Sequence, residues 1–256
     1  MSKKNARYVA HFDMLGMKEA VLRNQDEAWG ALSDLNAAKE RIYGISIEIV
    51  SSGNVIKDRV KTFIFSDTVI IFTLSDQPED LYSILIFSSE LFSNSLHGCV
   101  PLRGGIAHGD FFFNLDLGLF LGIPLVNAYQ IGEEAQWAGI TVDEHVFEKS
   151  KSIPLKTAEN TNLIIEWDIP LKNEESKRGY VLNWPKIFKN NFTIKPVPLA
   201  DFYSPFENLF GPYSALREDV KCKYVNTVEF INDQLLSNSP ELLSGLVPGI
   251  DPGGAL

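Results

Sequence analysis

Residues 8–21 read YVAHFDMLGMKEAV. Tyr8–Phe12 is a strand-like run of large and β-branched side chains, and from Met17 the apolar positions take helical spacing. Asp13 stands between the two. It reads either as a helix N-cap, accepting from the free amides of the first turn, or as a side chain at the open end of a strand, where ligands are held.

Working outward, residues 17–42 predict helix with a break at RNQD, 23–26. ISIEIV, 45–50, has strand character, and SSGN, 51–54, signals a turn. RVKTFIFSDTVIIFTL, 59–74, predicts two strands joined at Ser66–Asp67, a hairpin with its polar pair at the tip. QPEDLYSILIFSSELFSNSLHG, 77–98, is an amphipathic helix. VPLRGGIAHGDFFF, 100–113, predicts strand, turn and strand. LFLGIPLVNAYQIGEEAQWAG, 119–139, is a Gly/Pro loop leading into a helix, and ITVDEHVFEK, 140–149, a strand and short helix. The order β-α-β-β-α-β predicts an α+β, ferredoxin-like core with an antiparallel sheet, over residues 1–152. Residues 153–240 complete the same domain: NLIIEWDIPL, YVLNWP and PVPLADFYSP as strands and loops, KCKYVNTVEFINDQLL as helix. Residues 241–256, rich in Pro and Gly, read as a tail.

The chain has 256 residues, 45% of them hydrophobic and 11% aromatic, enough for one core. Its two cysteines, Cys99 and Cys222, are far apart, which excludes a disulfide scaffold and a zinc site and suits a reducing cytoplasm. MSKKNARYVAHFD lacks the apolar run of a signal sequence, and TVIIFTL is too short to span a bilayer, so no membrane role is expected. The net charge of −10, with no basic cluster beyond KSK, excludes a duplex-binding face and any nucleic-acid partner. A small polyanionic substrate would then need a divalent cation beside it.

In the predicted sheet the first strand neighbours the hairpin, so Asp13 and Asp67 face each other. Two close carboxylates repel unless a proton or cation intervenes. Their hard oxygens suit two Mg²⁺ or Mn²⁺ ions, which acidify a ribose hydroxyl and stabilise in-line displacement at phosphorus. Asp67 alone reads equally as a turn residue; the pair favours the metal.

FDMLGM, 12–17, resembles the first metal motif of class III nucleotidyl cyclases, Phe-x-Asp-Ile-x-Gly-Phe. VKTFIFSDTVIIF resembles their second, LRGGIAHGDFF their Leu-Arg-x-Gly-Ile strand, and GIPLVNAYQIGEEAQ their Val-Asn-x-Ala helix start. The resemblance covers residues 7–146. It implies Asp13, Asp67 and the Met14 carbonyl as metal ligands, Phe12, Leu15, Gly16 and Met17 at the triphosphate, and Asn127 orienting the ribose. It also implies a homodimer with shared sites, Asn127 serving the partner's aspartates.

Departures from that pattern bear on substrate. The purine-reading Lys or Glu four residues before the second aspartate is Phe63, and the second reader's place holds Leu119 and Phe120. Apolar side chains satisfy no purine donors or acceptors, and bulky ones narrow the pocket. Tyr43 is a further candidate for narrowing it. The arginine four residues after the asparagine is replaced by Ile131, leaving Arg103, Lys61 or Arg178 to neutralise phosphate. In these respects the chain most resembles the bacterial pyrimidine cyclases of Pycsar antiphage systems. That implies UTP converted to cyclic UMP, which activates an effector protein. The alternatives are a cytidylate or purine cyclase, and a catalytically silent nucleotide sensor.

His11 reads as a core or interface histidine, and His108 with Asp110 as turn residues. RGGIAHGDFF lacks the contiguous GGDEF of diguanylate cyclases. Glu133 and Glu134 read as starting a helix, and Trp29, Trp137, Trp167 and Trp184 as core or interface aromatics.

Overall fold

The computed structural model describes residues 5–44, 56–151, 155–156, 162–173, 175–187 and 196–236. The predicted ISIEIV strand, the SSGN turn and the tail from 241 lie outside them.

Strand β1 (Asn5–Met14) runs through the sheet interior. Its alternation sends Tyr8, Ala10 and Phe12 into the main core, while His11 and Asp13 point to the other face and keep partial exposure. Helices α1 (Met17–Arg23) and α2 (Gln25–Tyr43) part at Asn24, inside the predicted break. The Asn24 side chain accepts from the amides of Asp26 and Glu27, capping α2. β2 (Val60–Phe65) and β3 (Thr68–Thr73) form the hairpin, and α3 (Pro78–His97) starts on a capping box of Gln77 and Asp80 with Pro78 in the first turn.

β4 (Leu102–Asn114) is one strand of 13 residues where the glycines suggested a turn. The reason is packing. A Cβ on Gly104 would meet the His11 carbonyl oxygen at 2.1 Å, and one on Gly105 would meet Ile131 at 2.4 Å. Gly104 thus fits tightly against β1, and Gly105, with Gly132, where a Cβ would meet the Gly104 backbone at 2.7 Å, lets a helix cross the strand closely. That helix is α4 (Ile123–Glu134), which follows β5 (Leu119–Gly122).

Then come β6 (Ile140–Val142), α5 (Glu144–Ser150), β7 (Ile164–Pro170), β8 (Ser176–Leu182) and α6 (Trp184–Ile187). The chain continues through α7 (Leu199–Tyr203), α8 (Glu207–Phe210) and α9 (Glu218–Leu236). Residues 199–203, predicted as strand or loop, are helical: the spacing of Leu199, Phe202, Tyr203 and Phe206 is masked in sequence by Pro196, Pro198 and Pro205.

The sheet order is β2-β3-β1-β4-β6-β8-β7, with β5 paired to β4. All pairings are antiparallel except β4 with β6. Its first four strands have the predicted βαββαβ arrangement, and the fold is α+β with an antiparallel-dominated sheet. β7 and β8 extend that sheet, and α9 closes over it through Phe230, which packs on Trp137, Trp167 and Trp184. Trp29, by contrast, is 70% exposed. Among the described residues no helix is long and apolar enough to cross a membrane.

Candidate active site

The end of β1 and the tip of the hairpin are tied together. Asp13 pairs in register with Thr68, and the Met14 amide donates to the Asp67 carbonyl at 2.8 Å. On the other side the Leu15 amide donates to the Pro101 carbonyl, also at 2.8 Å. The turn carrying Asp13 and Met14 is therefore clamped from both flanks, with the Asp67 carboxylate near enough to influence Asp13.

Arg103 of β4 stands opposite Asp13 in register, with Nη2 3.3 Å from the Asp13 carboxylate and 2.5 Å from that of Glu133. Only 4% of Arg103 is exposed. Lys172 holds the second Glu133 oxygen at 2.5 Å. Burial pushes the Asp13 carboxyl above the usual aspartate range; Arg103 opposes this, and the negative charges of Asp67 and Glu133 add to it. Glu133 moves the other way: burial would raise it, but the Lys172 hydrogen bond and the Arg103 charge outweigh that and hold it low.

Asp13 and Asp67 are hard oxygen donors whose repulsion a divalent cation would relieve, so the donor set fits Mg²⁺ or Mn²⁺. Among the described residues no three His, Cys, Asp or Glu side chains form a metal-holding group.

The other sequence-derived residues divide. Phe12 is fully buried on the helix-covered face and Met17 is buried too, so their side chains pack rather than touch substrate. Gly16 has φ 78°, and a Cβ there would meet the Phe210 ring at 2.9 Å. Gly16→Ala is therefore expected to cost about 1–3 kcal/mol of stability; an unchanged urea midpoint would contradict this. Asn127 is half-buried on α4 and, among the described residues, hydrogen-bonds neither aspartate. Ile131, in the place of the expected arginine, packs over Gly105.

Phe63 lies with its ring centroid 4.8 Å from that of Phe120, edge-on. With Phe65, Thr68 and Ile70 they line a cavity of about 310 Å³. Thr68 is the register partner of Asp13, so this apolar cavity adjoins the aspartates on the same face. Tyr43 does not belong to it. Its ring packs on Phe87, 5.2 Å between centroids, in the main core rather than beside Phe63. Leu119 likewise alternates away from Phe120 and is 59% exposed.

Of the cations considered, Arg103 is committed to carboxylates. Lys61 donates to the Lys57 carbonyl, and Arg178 pairs with Glu166 and Asp168 toward the far edge of the sheet. Glu133 ends α4 rather than beginning a helix; Arg103 and Lys172 offset its poor placement at a helix C-terminus. Glu133 and Lys223 of α9 act on Asp13 by their charge, Lys172 holds Glu133, and no local sequence signal marks them. His108 lies apart, against Asp76 at 3.3 Å. His11 is partly buried and stacks edge-on to Tyr129 of the same chain.

No protein-family model matches the chain, and no curated protein matches it. Among solved structures it is similar to the adenylyl cyclase CyaB from P. aeruginosa, at 11% identity and TM-score 0.49, over 71% of this chain and 95% of that one. It is also similar to the catalytic core of a rhodopsin-guanylyl cyclase with converted specificity in complex with ATPαS, at 13% identity and TM-score 0.48, over 71% and 97%. A third is the adenylate/guanylate cyclase/hydrolase from Silicibacter pomeroyi, at 12% identity and TM-score 0.46, over 71% and 98%. Likenesses this distant say nothing about function, which rests on the site's own residues.

Proposed function

We propose that the protein is a metal-dependent nucleotidyl cyclase that converts a pyrimidine nucleoside triphosphate, UTP foremost, into its 3′,5′-cyclic monophosphate and pyrophosphate. The observation that carries this is the junction of Asp13 and Asp67 beside the apolar cavity of Phe63 and Phe120. Asp13, Asp67 and the Met14 carbonyl would hold Mg²⁺ or Mn²⁺, which when bound neutralises phosphate charge and acidifies the ribose 3′-hydroxyl. Arg103 orients Asp13 from behind. The aromatic pair stacks against the base and leaves purine donors and acceptors without partners. The ribose 3′-oxygen bonds to the α-phosphorus as the bond to the β-phosphate oxygen breaks; the hydroxyl proton passes to solvent. Catalysis is chiefly positioning and charge neutralisation.

Leu121, Ile123, Val126 and Tyr129 present an exposed apolar surface on β5 and α4, the first two 72% and 70% exposed. We read it as the face covered by a second copy, which would bring Asn127 of each protomer to the ribose at the other's aspartates. Ile123→Asp should then give a folded, inactive monomer by analytical ultracentrifugation; a dimer of undiminished activity would exclude this arrangement. The cyclic product would act on an effector protein in antiphage defence, in the cytoplasm, where the free thiols of Cys99 and Cys222 are at home.

Offered UTP, CTP, ATP and GTP in equal amounts with Mn²⁺, the protein should make cyclic UMP. Phe63→Ala, by widening the cavity, should raise the purine share of product about tenfold; unchanged selectivity would remove Phe63 from the base pocket. Packing of Ile131 where an arginine is expected favours a second reading, a silent nucleotide-binding domain. Binding of nucleotide without release of pyrophosphate would establish it.

A further inference from the structure

A second cavity, of about 280 Å³, opens beside the Leu15–Gly16 turn and is walled by Phe210, Arg217 and Lys223 of the C-terminal segment. Lys223 is half-buried and, among the described residues, its ammonium makes no hydrogen bond or ion pair. Burial pushes it below the usual lysine range, and the positive charge of Arg103 pushes the same way. Arg103 and Lys172 disfavour its charge and Asp219 and Glu133 favour it, so the cavity holds a desolvated ammonium that an entering anion would meet already in place. The position of Lys223 is built rather than incidental. Thr227 accepts from the Ala138 amide at 2.8 Å, Asn226 donates to the Gln136 carbonyl at 2.6 Å, and Gln136 donates to the Asp219 carbonyl at 2.6 Å. These bonds set the register of α9 against the chain leaving α4. Arg217, at the cavity wall, is held by two bonds to Asp219, at 2.9 and 2.7 Å.

We propose that this cavity is a polyphosphate site in which Lys223 is the principal ligand and Arg217 assists. The assignment of its natural occupant, the β- and γ-phosphates of the substrate, rests on the cyclase reading. The site adjoins the turn that carries Asp13, so a triphosphate would run from the aspartates into it, and Lys223 would supply the charge that Ile131 does not. Glu19 also lines the cavity and opposes an anion.

The test uses inorganic tripolyphosphate, which has neither base nor ribose and cannot be cyclised. Calorimetric titration of the full chain, with and without Mn²⁺, should show binding. Lys223→Met should weaken it by about tenfold or more, and Glu19→Gln should tighten it by about two- to fivefold. The Met variant keeps the length of the side chain and removes a desolvated charge, so its thermal midpoint should not fall. Failure of the parent to bind tripolyphosphate, or equal binding by folded Lys223→Met, would overturn the site. Cyclic nucleotide made at the parental rate by Lys223→Met would overturn it while leaving the cyclase reading intact. Lys223-dependent binding without any cyclic product would uphold the site and remove the cyclase reading instead.

Discussion

Asp67→Ala is expected to lower cyclic nucleotide formation by a factor of about 10³ or more, since it removes one of two carboxylates that hold the metal and with it several kcal/mol of charge stabilisation. Folding should survive almost untouched. The backbone carbonyl of Asp67, not its carboxylate, holds Met14, and the side chain makes no ion pair among the described residues. Stability should therefore change by no more than about 0.5 kcal/mol. Relief of repulsion on Asp13 works, if anything, in its favour. Product assayed beside urea unfolding separates the outcomes: undiminished activity, or activity lost together with folding, would contradict a metal role for Asp67.

Arg103→Ala should produce the largest loss of stability. The guanidinium is 4% exposed and holds two carboxylates, Asp13 and Glu133. Its removal leaves Asp13 facing Asp67 and Glu133 without its paired cation, and leaves Glu133 to Lys172 alone. A fully buried pair broken this way costs about 3–5 kcal/mol, and the carboxylates' partial exposure reduces that to about 2–3 kcal/mol. Arg103→Lys should recover only part, since a single ammonium cannot reproduce a fork that reaches two partners. The sign with pH follows from the carboxylates. Glu133, held low in the folded protein, contributes stability at neutral pH that is lost as pH falls through its folded value. Asp13, held high, does the reverse: its ionisation costs stability at neutral pH, and protonation removes that cost. The gap between Arg103→Ala and the parent should consequently narrow in acid. Chemical denaturation at neutral and acid pH measures it; a gap that is absent at neutral pH would show that Arg103 does not organise the site.

The placement of Asp13 and Asp67 was legible because it needs only a topology and a hairpin, both written in local patterns: alternation, Ser-Asp at a turn, and helical spacing on either side. The facing of Phe63 toward the cavity follows from the same parity, and Tyr43 is excluded by its packing on Phe87 in the main core. What misled was chemistry with two meanings. Gly104–Gly105 looks like a turn in sequence, yet serves the close crossing of α4. Glu133 looks like a favourable helix start, yet sits at a helix end because Arg103 and Lys172 receive it there. Lys223 could not be found from sequence at all, being 210 positions from Asp13 and brought near it only by the docking of α9.

The most direct measurement is the stoichiometry of products from UTP with Mn²⁺, with cyclic UMP and pyrophosphate quantified in the same sample. Ring closure by the ribose hydroxyl at the Asp13–Asp67 site predicts equal amounts of the two and no other nucleotide. Linear UMP with pyrophosphate, or UDP with phosphate, would mean that water rather than the 3′-hydroxyl attacks, and would contradict the cyclase account.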